Sequence, residues 1–278
     1  IDLSDIISFL WSRKIMITAI TLIFAVCSVV VSLQLPNIYR STAVLSPMES
    51  GDNTSNNLAG RFGGLASLSN ILINEQVVDK TTLGIAVVNS KSFFKKINKK
   101  HDLLVPLMAS TGWDPILNEL KIDPKIYDVE NKEWVRKVSF PKSVEPSIQE
   151  AHAVFMKKFS IQINDKNNLI IMSVDHYSPY IAKDWLDKII LEINLEIKKQ
   201  DIDRAESSIN FLKQQISSTN LTEVQDRLYD LIQKQTEIIM LANASPEYIF
   251  NTIDEGLISE EKIGPNRAII CILTTIFG

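Results

Sequence analysis

The side chains in this 278-residue sequence best suited to bind a metal or move a proton are three histidines, two cysteines and a few carboxylate pairs. His101, His152 and His176 are scattered, and no H-E-x-x-H, G-x-S-x-G, Walker A or Asp-rich metal loop joins them. His101 reads as an exposed helix-end residue. His176 follows a strand with no second ligand nearby, which makes it structural. Cys27 and Cys271 both fall inside apolar runs, so neither a disulfide framework nor a thiolate zinc site can form between them. Asp184 with Asp187 and Glu260 with Glu261 lie on stretches that read as solvated faces, without a base or nucleophile at usable spacing. The Gly-rich stretch around Gly60, Arg61, Gly63 and Gly64 lacks the Lys-Ser/Thr of a phosphate loop and the spacing of a dinucleotide fingerprint. It reads as a surface or pore-lining loop. Lys95, Lys96, Lys99 and Lys100 form a basic cluster that reads as a solvated face. The expectation is a protein that is not an enzyme, with no metal and no cofactor.

Charge narrows the partners. Lys and Arg total 29 against 33 Asp and Glu, a net charge of -4, and no basic stripe runs along the chain. A nucleic-acid partner is therefore not expected.

The element that organises the chain is Ile15 to Leu35, an apolar run without a charged side chain. About 21 helical residues at roughly 1.5 Å each span about 31 Å, the thickness of a bilayer's hydrocarbon core. Trp11 and Tyr39 flank the run at the level of the headgroups. The run is too long for a signal-peptide core, and Ser32-Leu33-Gln34-Leu35-Pro36 is a poor cleavage site. A second apolar run opens at Ala268 and reaches the end of the sequence, which suggests a second anchor of which only the start is included. Charges flank the first run on both sides (Arg13 and Lys14, then Arg40), so they do not fix its orientation.

Between the runs, residues 38–47 read as a strand closed by Pro47. Val77 to Val88 and Ser90 to Lys100 read as helices. Pro106 to Pro146 reads as an irregular, proline-rich stretch pinned by Trp113 and Trp134. Ser147 to Glu150 is a capping box opening a helix to about Lys158. Phe159 to Ile163 and Ile170 to Val174 alternate around a turn at Asp165 to Asn168, a hairpin pattern. From Pro179 to about Ser217 there is no Gly and no internal Pro. Ile181, Trp185, Ile189, Ile193 and Ile197 recur every four residues, and Ile202, Ala205, Ile209, Leu212 and Ile216 follow a heptad-like seam. The opposite face carries Lys183, Lys188, Glu192, Glu196, Lys199 and Asp203. Such a rod needs a partner helix. A second helix from about Thr222 to Ala244, capped by Asn220 with Glu223 or Thr222 with Gln225, makes an antiparallel hairpin with its tip near Thr219. Its apolar face reads as Leu221, Val224, Leu228, Leu231, Ile238 and Ala242. Tyr248 to Ile258 then returns as a strand beside Thr42 to Leu45.

The expected class is α+β, a membrane-proximal α/β base with a long helical hairpin, flanked by terminal transmembrane helices. Its parts are a lead-in (1–14), the first span (15–35), the base (36–178), the hairpin (179–244), the return strand (245–267) and the start of a second span (268–278).

Several local motifs resemble one family. I-D-L-S-D-I-I-S-F-L-W before the first span, P-N-I-Y-R-S-T-A-V-L after it, M-L-A-N-A-S-P-E-Y-I-F-N-T-I-D (Met240 to Asp254) and P-N-R-A-I-I (Pro265 to Ile270) resemble the Wzz-type polysaccharide co-polymerases, the O-antigen chain-length determinants. That resemblance implies a two-pass bacterial inner-membrane protein with its bulk in the periplasm. It also implies a homo-oligomeric ring that sets the modal length of a polysaccharide made by a Wzy-type polymerase. In such a ring Ile202, Ala205, Ile209, Leu212 and Ile216 meet neighbouring copies, and Gly60, Arg61, Gly63 and Gly64 line the lumen. Rival readings are a capsule co-polymerase working with a tyrosine kinase, a membrane-fusion adaptor of an export pump, and a two-anchor sensor.

Overall fold

The structure, a computed structural model, describes residues 14–48, 80–164 and 166–277. The lead-in with Trp11, the Gly-rich loop with Gly60, Arg61, Gly63 and Gly64, and the first residues of the helix expected from Val77 lie outside the described residues.

Helix α1 (Lys14–Gln34) runs into strand β1 (Ile38–Pro47). Helices α2 (Lys80–Val88), α3 (Lys91–His101) and α4 (Leu104–Met108) follow. Two small ladders come next, β2 (Ser110–Asp114) with β3 (Glu119–Ile122), then β4 (Tyr127–Asp128) with β5 (Glu133–Trp134). Helix α5 (Ile148–Lys158) leads into β6 (Phe159–Ile163) and β7 (Ile170–His176). The long helices α6 (Pro179–Ser218) and α7 (Thr222–Ala244) precede β8 (Phe250–Asp254), β9 (Lys262–Gly264) and α8 (Arg267–Phe277).

Local chemistry accounts for most boundaries. Ser90 caps α3 by accepting from the Phe93 amide, and the helix ends where Asp102 turns left-handed at φ 52°. Ser147 caps α5 by accepting from the Glu150 amide at 3.2 Å. The return half of that capping box is not made, because both Glu150 carboxylate oxygens are taken by Arg136. The stretch expected to be irregular instead folds into the two ladders. Asp114 and Asp128 each accept two backbone amides just beyond themselves, which closes the turns. Asn118 and Lys132 supply the positive φ that such turns require.

Strand β1 is the centre of a five-stranded sheet in the order β6-β7-β1-β8, with β9 also against β1. The β1 ladder to β7 runs from Tyr39 opposite His176 to Leu45 opposite Ile170. Its other edge takes β8 at Val44–Pro47 and β9 at Ile38–Tyr39. Ser41, Ala43 and Leu45 face inward at period two, beside Ile170, Met172 and Val174 of β7. Against them pack Phe93, Phe94 and Ile97 of α3, Phe155 of α5 and one face of α6. On α6 the buried face is Ala182, Trp185, Leu186, Ile189, Ile190, Ile193 and Ile197, while Ile181 is half-buried. The four-residue repeat read from the sequence thus marks one ridge of a wider stripe.

Candidate functional site

Helix α6 is 40 residues long, and beyond Ile197 its one buried side chain is Ala205. Its first half belongs to the core; its second half, about 30 Å at roughly 1.5 Å per residue, projects with α7 beside it. Ile202, Ile209, Leu212 and Ile216 are half-buried and Ala205 is 1 % exposed. Helix α7 faces this seam with Gln225, Leu228, Ile232, Gln235 and Ile239 half-buried and Ala242 buried. The partner helix is therefore supplied first by the same chain, and Ala205 has no surface left for a neighbouring copy. The apolar face expected for α7 is also corrected: Leu221, Val224 and Leu231 are exposed. Two glutamines sit in the true seam, which a reading of apolar residues alone skips. Neither expected cap forms. Leu221 occupies the cap position without a side-chain bond, and Gln225 donates instead to the Thr219 carbonyl at 2.9 Å. Outside the seam, Phe211, Tyr229, Met240 and Leu241 stand 57 to 65 % exposed.

At the hairpin's base, Asn194 is 3 % exposed. Its Oδ1 accepts from the amides of Tyr248, Ile249 and Phe250, and its Nδ2 donates to the carbonyls of Ile190 and Phe250. One side chain thus satisfies the turn that leads from α7 into β8. Beside it, Lys80 and the Tyr248 hydroxyl both meet Asp201, which ties α2 to α6.

Several of the charged residues expected on solvated faces have partners. Lys96 pairs with Glu196 at 2.6 Å and Lys100 with Glu192 at 2.7 Å, joining α3 to α6. His101 is not free at its helix end; its Nε2 lies 3.0 Å from Glu192. Burial opposes ionisation of Glu192, but the bonds from Lys100 and His101 together outweigh it and hold the carboxyl below the usual range. Asp184 and Asp187 pair with Lys188 and Lys183 one turn away.

His176, read from the sequence as structural, lies within the base beside the β1 ladder. It is 1 % exposed, its Nδ1 accepts from the Ser178 amide and its Nε2 lies 3.3 Å from the Pro106 carbonyl. Burial, with the Lys158 charge nearby, pushes its pKa down to about 3. Lys158 lies over the Tyr177 ring, and burial lowers its own pKa to about 8. Among the described residues, no three His, Cys, Asp or Glu side chains are placed to hold a metal.

The two terminal helices pack side by side. Ser28 and Ser32, one turn apart on α1, are buried, while Leu22, Ile23, Val26 and Val30 stand exposed. Arg267, at the start of α8, donates to the Leu35 carbonyl and to Asn37 Oδ1, which clamps the helices where both meet the sheet. Among the described residues no helix is long and apolar enough to cross a membrane. Helix α1 is 21 residues long, with its side chains described at Met16, Ala19 and from Thr21 onward. Helix α8 is 11 residues long.

Residues 1–92 match the family model of Wzz, the chain length determinant protein. No curated protein matches the chain. Among solved structures, the chain is similar to a fragment of WzzB, a polysaccharide co-polymerase from Salmonella Typhimurium. The identity is 11% and the TM-score 0.35, over 82% of this chain and 100% of that one. A full-length bacterial polysaccharide co-polymerase matches at 14% identity and a TM-score of 0.40, over 99% of this chain and 93% of that one. Residues 1–92 hold both I-D-L-S-D-I-I-S-F-L-W and P-N-I-Y-R-S-T-A-V-L, so the resemblance carried by those motifs is to the family whose model the stretch matches, the Wzz chain length determinants.

Proposed function

We propose that this chain is a polysaccharide co-polymerase that regulates the modal length of an O-antigen made by a Wzy-type polymerase. It acts as a two-pass scaffold of the bacterial inner membrane, with its bulk in the periplasm and copies arranged in a ring. The observation that carries this reading is the match of residues 1–92 to the Wzz chain length determinants. The pairing of α1 with α8 supports it, since two apolar helices clamped at one end of the sheet suit a common anchor. The projecting hairpin supports it too. Its outward Phe211, Tyr229, Met240 and Leu241, with the half-exposed flanks of Ile202, Ile209, Leu212 and Ile216, offer apolar surface to neighbouring copies. Catalysis belongs to the polymerase in this reading. The loop with Gly60, Arg61, Gly63 and Gly64 is proposed to line the lumen.

The test is the polysaccharide ladder of cells with and without the gene. Clustering of chain lengths with the gene and scatter without it is expected. An identical ladder in both overturns the proposal.

A further inference from the structure

The β2–β3 hairpin carries an apolar tip. Ile116 is 91% exposed and Leu117 is 67% exposed, side by side at the turn. The path of strand β2 brings this hairpin against the junction between α1 and β1. Strand β2 follows Pro106, whose carbonyl meets His176, the ladder partner of Tyr39. By Gly112 the strand has reached Pro36, two residues beyond α1: a Cβ added at Gly112 would lie 3.8 Å from the Pro36 Cβ. At Gly112 and Trp113 the hairpin thus lies against Pro36 and Tyr39, where α1 passes into β1. Another four residues at about 3.3 Å each carry Ile116 up to about 13 Å further.

We infer that the Pro115–Leu117 tip dips into the lipid interface around the α1–α8 anchor. This rests on the membrane reading proposed above. The occupant is lipid because the hairpin lies against the junction from which α1, read as an anchor, extends, and because its tip backbone is prepared for a poorly hydrated site. Asp114 Oδ1 accepts the Ile116 amide at 2.9 Å and the Leu117 amide at 3.3 Å, so the donors of the two apolar tip residues need no water. Behind the tip, Trp113 packs between Tyr39 and Tyr180, with ring centroids 5.8 and 6.0 Å away. Such a cluster has the amphipathic character that suits the headgroup layer. The hairpin holds Asp114 and Glu119 against Lys121 alone, so contact is driven by apolar burial and not by attraction to anionic lipid.

The experiment uses the full chain in phosphatidylcholine nanodiscs with Cys27→Ser and Cys271→Ser. An environment-sensitive fluorophore is attached at Ile116→Cys, at Phe140→Cys on another exposed loop, or at Val30→Cys within α1. Lipid carrying a doxyl group near the headgroup should quench the Ile116 probe about twofold and leave the Phe140 probe unchanged, as contact confined to the interface requires. Quenching at Val30 with none at Ile116 overturns the inference while leaving the anchor intact. A blue-shifted but unquenched Ile116 probe also overturns it, because the tip then lies against protein. No quenching at Val30 removes the membrane reading and this inference with it.

Discussion

Asn194 Oδ1 lies 2.8 Å from the amide nitrogen of Ile249, the shortest of three such bonds by which one α6 side chain holds the return turn. The turn joins the projecting hairpin to β8, and β8 pairs with β1, the strand that follows α1. Position of the hairpin relative to the α1 end of the fold therefore depends on this side chain.

Asn194→Ala leaves three turn amides without their acceptor in a buried site, and a loss of about 3 kcal/mol is expected. Asn194→Asp keeps an acceptor but sets a second carboxylate oxygen against the carbonyls of Ile190 and Phe250, so it should not rescue. Denaturant midpoints of both variants, with the exposed Asn220→Ala as control, give the measurement. A midpoint for Asn194→Ala equal to the control's would refute the role assigned to the turn.

His176 predicts a pH dependence of definite sign. Its pKa is lowered from 6.5 to about 3 in the folded state by burial and by the Lys158 charge. The stability it contributes is fully present above pH 6.5 and is lost as pH falls toward 3. Between pH 6 and 5 the slope should approach about 1.4 kcal/mol per pH unit from this group. In His176→Gln, which can still donate to the Pro106 carbonyl, that part of the slope should vanish. Parallel stability curves for the two proteins across this interval would rule the explanation out.

Ile209→Asp with Leu212→Asp tests the seam. Each substitution puts a carboxylate at a half-buried apolar position facing α7, at a cost of about 1–2 kcal/mol. Hydrogen exchange should show lost protection over residues 222–244, with the β1 and β7 amides unchanged, because the base has its own core. If the proposed function holds, the polysaccharide ladder should broaden as well. Retained protection in α7 would mean that this seam does not hold the hairpin together.

Much of this architecture is legible in the sequence because its signals are local. The Ser147 cap, the alternation in β6 and β7 and the Gly-free run from Pro179 all appear where their chemistry puts them. The partners of Glu192 and Glu196 were hidden because Lys96, Lys100 and His101 lie far away in sequence on α3, and helical periodicity on α6 does not show what packs against a charged face. Asn194 was invisible for a related reason. A polar residue within an apolar stripe gives no sign of its bonds until the Tyr248–Phe250 turn is laid against it. The two short ladders between Pro106 and Pro146 were missed because Asp114 and Asp128 fold their turns through side-chain acceptance, without the Asn-Gly pairs that announce a hairpin.

Three glycines rank the tightness of the base. A Cβ at Gly256 would come within 2.7 Å of both Leu186 Cδ2 and Ser41 Oγ. Ser41 is held by its bond to the Leu257 carbonyl and Leu186 is fully buried, so neither retreats freely. Gly256→Ala should cost about 1–3 kcal/mol. At Gly84 the closest atoms, Ile249 Cδ1 at 2.7 Å and Phe250 Cζ at 3.1 Å, are also on buried side chains, but the position lies within α2, where Ala gains about 1 kcal/mol of helix propensity over Gly. A smaller loss, about 1 kcal/mol, is expected there. Gly264 has nothing within 4 Å of its Cβ position, and Gly264→Ala should change stability by less than about 0.5 kcal/mol. Chemical unfolding of the three variants should give that order. Equal midpoints for Gly256→Ala and Gly264→Ala would show that the loop after β8 can move away from α6, and would remove Gly256 from the contacts that fix the return of the chain to the sheet.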